Sequence, residues 1–228
     1  MTGNSLQQIL ERADRLYAAR EDIENVRASL NSLQGTLNSP ADFELTWRSA
    51  RALFFLGQEQ ADAETTRELH TRGVKEAERA ARSDPKRVEG HFWLAVNLAL
   101  LAAVEGFPRS MTHAVKAKRA LETAGIIDAT YHAGGPMRVL ARLQSRLPRW
   151  LGGGRARARS NYQRAIIIAP NNTVSRLYYA ELLVACGEVE QAHRQLETLL
   201  AAPIDLGWAF ESERDRRLAR EMLETLSR

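Results

Sequence analysis

Residues Thr173–Ile204 read TVSRLYYAELLVACGEVEQAHRQLETLLAAPI, and the fold turns on this stretch. Counted from Thr173 as position 1, Tyr179 and Ala180 fall at 7 and 8, Leu183 at 11, Gly187 at 15, Ala192 at 20, Leu196 at 24 and Leu199 at 27. Apolar residues recurring at three and four are the period of an amphipathic helix. Gly187 divides two such runs, which predicts a pair of helices joined by a tight turn. Small residues at 8 and 20 let the two backbones approach closely, and large ones at 7, 11 and 24 fill the seam. Just upstream, Pro170-Asn171-Asn172 offers a helix start with Asn172 as the cap.

The stretch resembles a tetratricopeptide repeat (TPR), a helix-turn-helix unit of about 34 residues. Working backward, Val88 opens a second unit, with His91 at 4, Leu94-Ala95 at 7 and 8 and Leu98 at 11. An earlier unit holds Trp47, Ala50 and Phe54 in its first helix and Gly73, Ala77, Ala80 and Pro85 in its second. Extra residues near 60–69 predict a lengthened second helix there. A third unit has Leu140-Ala141, then Ala158, Tyr162, Ala165 and Pro170, and its inter-helix loop is swollen by Pro148-Arg149-Trp150-Leu151-Gly152-Gly153-Gly154. Ser39-Pro40 and Asp84-Pro85 both read as N-cap followed by first helical residue. The expected organisation is a single domain over 1–228. It comprises an N-terminal helical pair at 1–38, four repeats over 40–204 with insertions near 60–69 and 148–154, and a capping helix at 211–228. The predicted class is all-α, with TPR-like helix-turn-helix repeats forming a right-handed superhelix.

Composition agrees. Of 228 residues, 34 are Ala and 29 Leu, both good helix formers, while the 14 Gly and 7 Pro are scattered. A β-sandwich or barrel would need closely spaced turn signals and β-branched runs. A single cysteine, Cys186, excludes an intrachain disulfide framework and a multi-cysteine zinc site. The most apolar stretch, Phe92–Val104, falls short of the about 20 residues that span a bilayer. As given, the chain reads as soluble and cytoplasmic, or periplasmic if a signal segment precedes it.

Net charge is only +4, but it is unevenly spread. Ala129–Ala180 contains no Asp or Glu against nine arginines (138, 142, 146, 149, 155, 157, 159, 164 and 176), leaving −5 for the remainder. Such asymmetry suggests an anionic partner. The alternative is an arginine-rich solvated face balanced by acidic neighbours.

Leu16-Tyr17, Trp47-Arg48, Leu56-Gly57, Arg72-Gly73-Val74, His91-Phe92-Trp93-Leu94-Ala95 and Gly135-Pro136-Met137-Arg138-Val139-Leu140 occur in that order. The series resembles the T-component family of TRAP (tripartite, periplasmic-binding-protein-dependent) transporters. A eukaryotic group of microtubule-dynamics regulators, with similar repeats, is the weaker match. The first resemblance implies a transport accessory that contacts a substrate-binding protein.

Catalytic signals are absent. Five histidines (70, 91, 113, 132 and 193) lack ligand spacing, so no metal is expected. Of these, His91 is expected to be a packed, hydrogen-bonded core residue, and His132, at a helix entry, is the one to watch. Gly152-Gly153-Gly154-Arg155 lacks the GK[ST] ending of a phosphate loop and reads as a flexible turn. There is no GxSxG elbow, and Cys186 has no neighbouring base in sequence. No cofactor and no enzyme activity are expected.

What remains is the groove that the TPR resemblance implies along the first helices. Its register selects Arg48, Phe55, Glu89, Phe92, Val96, Arg138, Arg142 and Glu181 as binding candidates. Arg138 and Arg142 share a helix face, and their fork-shaped guanidiniums beside Phe55 and Phe92 would suit a carboxylate with an apolar body. The competing reading pairs two arginines with Glu89 and Glu181 across the groove. The expected function is a non-catalytic binding or adaptor protein. Its partner would be the substrate-binding protein of a transporter or a peptide held in the groove, with a small organic anion as an additional ligand. A homo-oligomer stays among the options. Nucleic acid is the weakest choice, because aromatics are not interleaved with the arginines.

Overall fold

The computed structural model describes residues 3–34 and 43–226. Every regular element among them is helical, with no strand. The chain divides into two compact units, Met1–Asp128 and Ala129–Arg228.

The first unit contains α1 (Gly3–Ala18), α2 (Ile23–Gln34), α3 (Phe43–Gln58), α4 (Ala63–Ser83), α5 (Val88–Val104) and α6 (Arg109–Ile127). They pack as antiparallel pairs, α1 with α2, α3 with α4 and α5 with α6, and α2 on α3 and α4 on α5 join the pairs. Leu33, Leu45, Leu53, Phe92, Trp93 and Leu121 are the large side chains of its core. The extra residues near 60–69 supply the start of α4, which runs 21 residues and is capped where Thr65 N–H donates to Asp62 Oδ2 at 2.7 Å. Asp84-Pro85 is not the N-cap of α5. Asp84 closes α4, its N–H donating to Ala80 O, and α5 starts at Val88 after a short turn. Ser39-Pro40 lies outside the described residues.

The second unit contains α7 (Tyr131–Arg146), α8 (Arg155–Ile168), α9 (Thr173–Ala185), α10 (Val189–Ala201) and α11 (Ala209–Leu226). α7 pairs with α8 and α9 with α10, while α11 covers α9 and α10. Asn172 caps α9 as its position suggests, accepting from Ser175 N–H at 3.0 Å. Ala95, Ala141, Ala158, Ala180 and Ala192 are all fully buried, so the small-residue register of the pairs is correct. The apolar stripe of α11 is out of phase at one residue. Met222, Leu223 and Leu226 pack on the core, but Leu218 is 37% exposed and Ala219 takes the inward place.

Candidate functional site

In the first unit, α1, α3 and the start of α5 bring six charged side chains together. Arg48 Nη2 donates to Asp14 Oδ2 at 2.9 Å, and Arg51 Nη2 to Asp14 Oδ1 at 2.6 Å. Arg48 also pairs with Glu44 of its own helix. Glu44 accepts from Arg87 Nη1 at 3.0 Å, and Arg87 in turn pairs with Glu89. Three acids meet three bases, so the network is neutral. Burial works against the Asp14 carboxylate, yet hydrogen bonding from Arg48 and the charge of Arg51 hold its pKa below the usual range. Burial likewise opposes the charge on Arg48, but Asp14 and Glu44 outweigh it and raise its pKa.

Aromatic faces flank these charges. The Arg48 guanidinium lies 4.3 Å from the Trp47 ring centre, Arg51 lies 4.0 Å from Tyr17, and Arg87 lies 4.4 Å from Phe43. Arginine and aromatic side chains of this kind carry much of the binding energy at protein interfaces. Phe55, Phe92 and Val96 do not line an open groove. Phe55 is buried with its ring 6.1 Å from Tyr17, Phe92 is buried 5.0 Å from Trp93, and Val96 is buried beside them on α5. Glu89 is bound to Arg87.

In the second unit the two arginines predicted to share a stripe have different surroundings. Arg142 pairs with Glu181 and stacks 4.1 Å from the Tyr178 ring centre, which is the paired alternative. Arg138 is 3% exposed. It donates to Ala133 O at 3.0 Å, to His132 O at 3.3 Å and to Asn172 Oδ1 and Ser175 Oγ at 3.4 Å, and its guanidinium lies 5.3 Å from Trp208. Burial pushes its pKa down to about 10. It braces an unusual helix entry in which His132, Ala133 and Gly134 all have positive φ (53°, 55° and 73°). His132, the histidine singled out in the sequence, therefore serves this entry, its ring 4.6 Å from Trp208.

The other histidines also have structural settings. His91 is half-buried with Nε2 3.0 Å from Pro85 O. His70 is fully buried, and sequence spacing gave no sign of it: its Nδ1 lies 3.1 Å from Asn97 Oδ1 while Nε2 has no partner. Asn97 Nδ2 donates to Ala50 O and Trp93 O, so Asn97 Oδ1 accepts and the His70 proton sits on Nδ1. No group of metal-ligating side chains occurs among the described residues, and no described helix is long and apolar enough to cross a membrane. Asp14, Tyr17, Phe43, Glu44, Trp47, Arg51 and Arg87 complete the cluster around Arg48 and were not among the candidates named from the sequence. Their only local signal was Arg48 and Arg51 at a helical three-residue spacing.

The sequence profile described as "Regulator of microtubule dynamics protein 1-3" matches residues 9–133, more than half of the chain. A tetratricopeptide repeat profile matches residues 155–205. Among solved structures, a thermophilic TPR protein of Thermus thermophilus is similar with a TM-score of 0.69 at 20% identity, covering 92% of this chain and 97% of that one. The MamA protein is similar with a TM-score of 0.54 at 13% identity, covering 87% of this chain and 95% of that one. At these identities the likeness establishes the TPR-like helical fold alone. No curated protein matches the chain. The T-component resemblance gains no support from these matches.

Proposed function

The chain belongs to the regulator of microtubule dynamics protein 1-3 family, and on that premise we propose that it is a non-catalytic scaffold that holds a protein partner. One observation carries the reading. The faces of α1, α3 and α5 set the half-buried Tyr17 and Phe43, over a buried Trp47, against Arg48, Arg51 and Arg87, whose charges are already compensated by Asp14, Glu44 and Glu89. A neutral, preorganised aromatic–arginine surface suits a folded or extended protein segment better than a free anion, because Arg48, Arg51 and Arg87 are each already paired with a carboxylate.

The test is recovery of a partner from native cells on the immobilised full-length chain, followed by cross-linking and titration of the purified partner. Cross-links to α1, α3 or α5, with about tenfold weaker binding by Arg87→Ala, support the reading. Turnover of a small molecule without any stable protein partner overturns it.

A second reading, the accessory of a TRAP-type solute transporter, rests on the phrase Gly135-Pro136-Met137-Arg138-Val139-Leu140, which lies beyond the residues matched by the family profile. It would place the chain in the periplasm, with a solute-binding protein as partner and a small organic anion as ligand. The first reading is compatible with the cytoplasm. Co-purification of a periplasmic solute-binding protein would decide for the transporter.

A further inference from the structure

The structure sorts the nine arginines of the acid-free segment. Five are engaged: Arg138 in the helix entry, Arg142 with Glu181, Arg159 with Glu188, Arg164 with Asn161 Oδ1, and Arg176 with Pro170 O and Gln195. Arg146, Arg149, Arg155 and Arg157 are exposed, and none of their guanidinium groups has a hydrogen bond or ion pair among the described residues.

The chain gathers these four at one end of the α7–α8 pair. Leu151 and Gly153 N–H donate to Pro148 O at 3.0 and 3.1 Å, and Gly154 N–H donates to Gln144 O at 2.8 Å. The loop therefore folds back so that the last turn of α7 lies beside the first turn of α8. Gly153 is required, since a Cβ there would lie 1.9 Å from the Leu147 carbonyl oxygen. Arg146 ends α7, Arg155 and Arg157 begin α8, and the Arg149 stem passes Gly154. Between them Trp150 is 78% exposed.

This arrangement breaks local rules without compensation among the described residues. The first turn of α8 carries arginines and no acid, and Gly154 provides no side-chain cap, although a helix N-terminus is already positive. An exposed indole adds to the cost. Such departures mark functional surfaces.

We propose that the α7–α8 end docks an Asp/Glu-rich segment of a protein partner, the four guanidiniums taking its carboxylates and Trp150 covering one of its apolar side chains. This deepens the scaffold reading and rests on it. Charge complementarity selects the anion, and the guanidinium fork matches carboxylates in pairs. Tryptophan beside arginine is the composition of a protein-interface hot spot. One aromatic is a single stacking platform, where a nucleic-acid strand needs a series. Leu147 is buried and Leu151 half-buried, so the loop lacks the apolar face that a membrane would accept.

The test is fluorescence anisotropy of the full chain with a labelled Asp/Glu-rich peptide containing one leucine. Phosphatidylserine vesicles and oligothymidine run in parallel. The expected result is peptide binding that weakens by at least about tenfold in Arg149→Gln/Arg155→Gln and again in Trp150→Ala, but not in Arg194→Gln on α10. Equal loss at Arg194→Gln, or tighter binding of vesicles or oligothymidine through the same residues, overturns the proposal. The partner recovered from native cells separates the two readings. If it binds the Arg149→Gln/Arg155→Gln chain as well as the unmodified one, this site fails and the scaffold stands. Absence of any partner removes the scaffold itself.

Discussion

His70 has one bonded nitrogen and one buried, unpartnered nitrogen, pressed against Gly57 where a Cβ would come 2.8 Å from the ring. Burial lowers its pKa below the ordinary 6.5, with the Asn97 contact acting in the opposite sense. A base whose folded pKa is depressed binds more protons when unfolded. Its stabilising contribution is therefore complete above pH 6.5 and erodes as the pH falls from there toward the folded pKa. Denaturant midpoints between pH 7.5 and 5 should fall for the native chain and stay flatter for His70→Gln; parallel curves would refute this. Beside it, Gly73 has no room for a methyl group, because a Cβ would lie 2.2 Å from Asn97 Oδ1. Gly73→Ala should cost about 1–3 kcal/mol, as should Ala180→Leu in the second unit, each read as a lower melting temperature. An unchanged melting temperature in Ala180→Leu would mean that the crossing of α9 and α10 tolerates bulk at this alanine.

At the scale of the element, α11 is held by more than a stripe. Ala219 is buried, Met222, Leu223 and Leu226 rest on the α9–α10 core, and the buried Asp215 accepts from Thr173 Oγ1 at 2.8 Å and from Arg214. Burial pushes the Asp215 carboxyl up in pKa, opposed by Arg214. Removing residues 211–228 should expose the apolar face of α9 and α10 and cause aggregation, seen as light scattering at concentrations where the full chain is monodisperse. A truncated chain that stays dispersed with an unchanged melting temperature would deny the helix its capping role. The sequence showed that this helix exists but not its phase, because a buried aspartate at 215 is invisible to a pattern that counts apolar residues. It did reveal the alanine register and the Asn172 cap, since both are decided within one helix pair. It could not reveal the Asp14–Arg48 pairing, whose partners stand 34 residues apart on helices of successive pairs. Nor could it tell that Arg138 faces inward, since the helix entry it braces needs non-glycine residues at positive φ, which no propensity favours.

At the scale of the whole molecule, continuous repeat spacing suggested one domain, whereas the helices cluster into two compact units divided at Asp128 and Ala129. Each unit has large buried side chains of its own, Trp93 and Leu53 in the first, Tyr162 and Leu183 in the second. Expressed separately, residues 1–128 and 129–228 should each be helical by circular dichroism and melt cooperatively. If either fragment is unfolded, its core depends on the other.

The pairwise cancellation of Asp14, Glu44 and Glu89 by Arg48, Arg51 and Arg87 also has a kinetic meaning. Charges that close on their neighbours project little field beyond the Debye length, about 8 Å in physiological salt. The uncompensated quartet at 146, 149, 155 and 157 projects further, so a distant acidic partner senses that corner first. Raising the ionic strength should then lengthen the time to encounter while leaving the lifetime of contacts on the α1–α3–α5 face nearly constant.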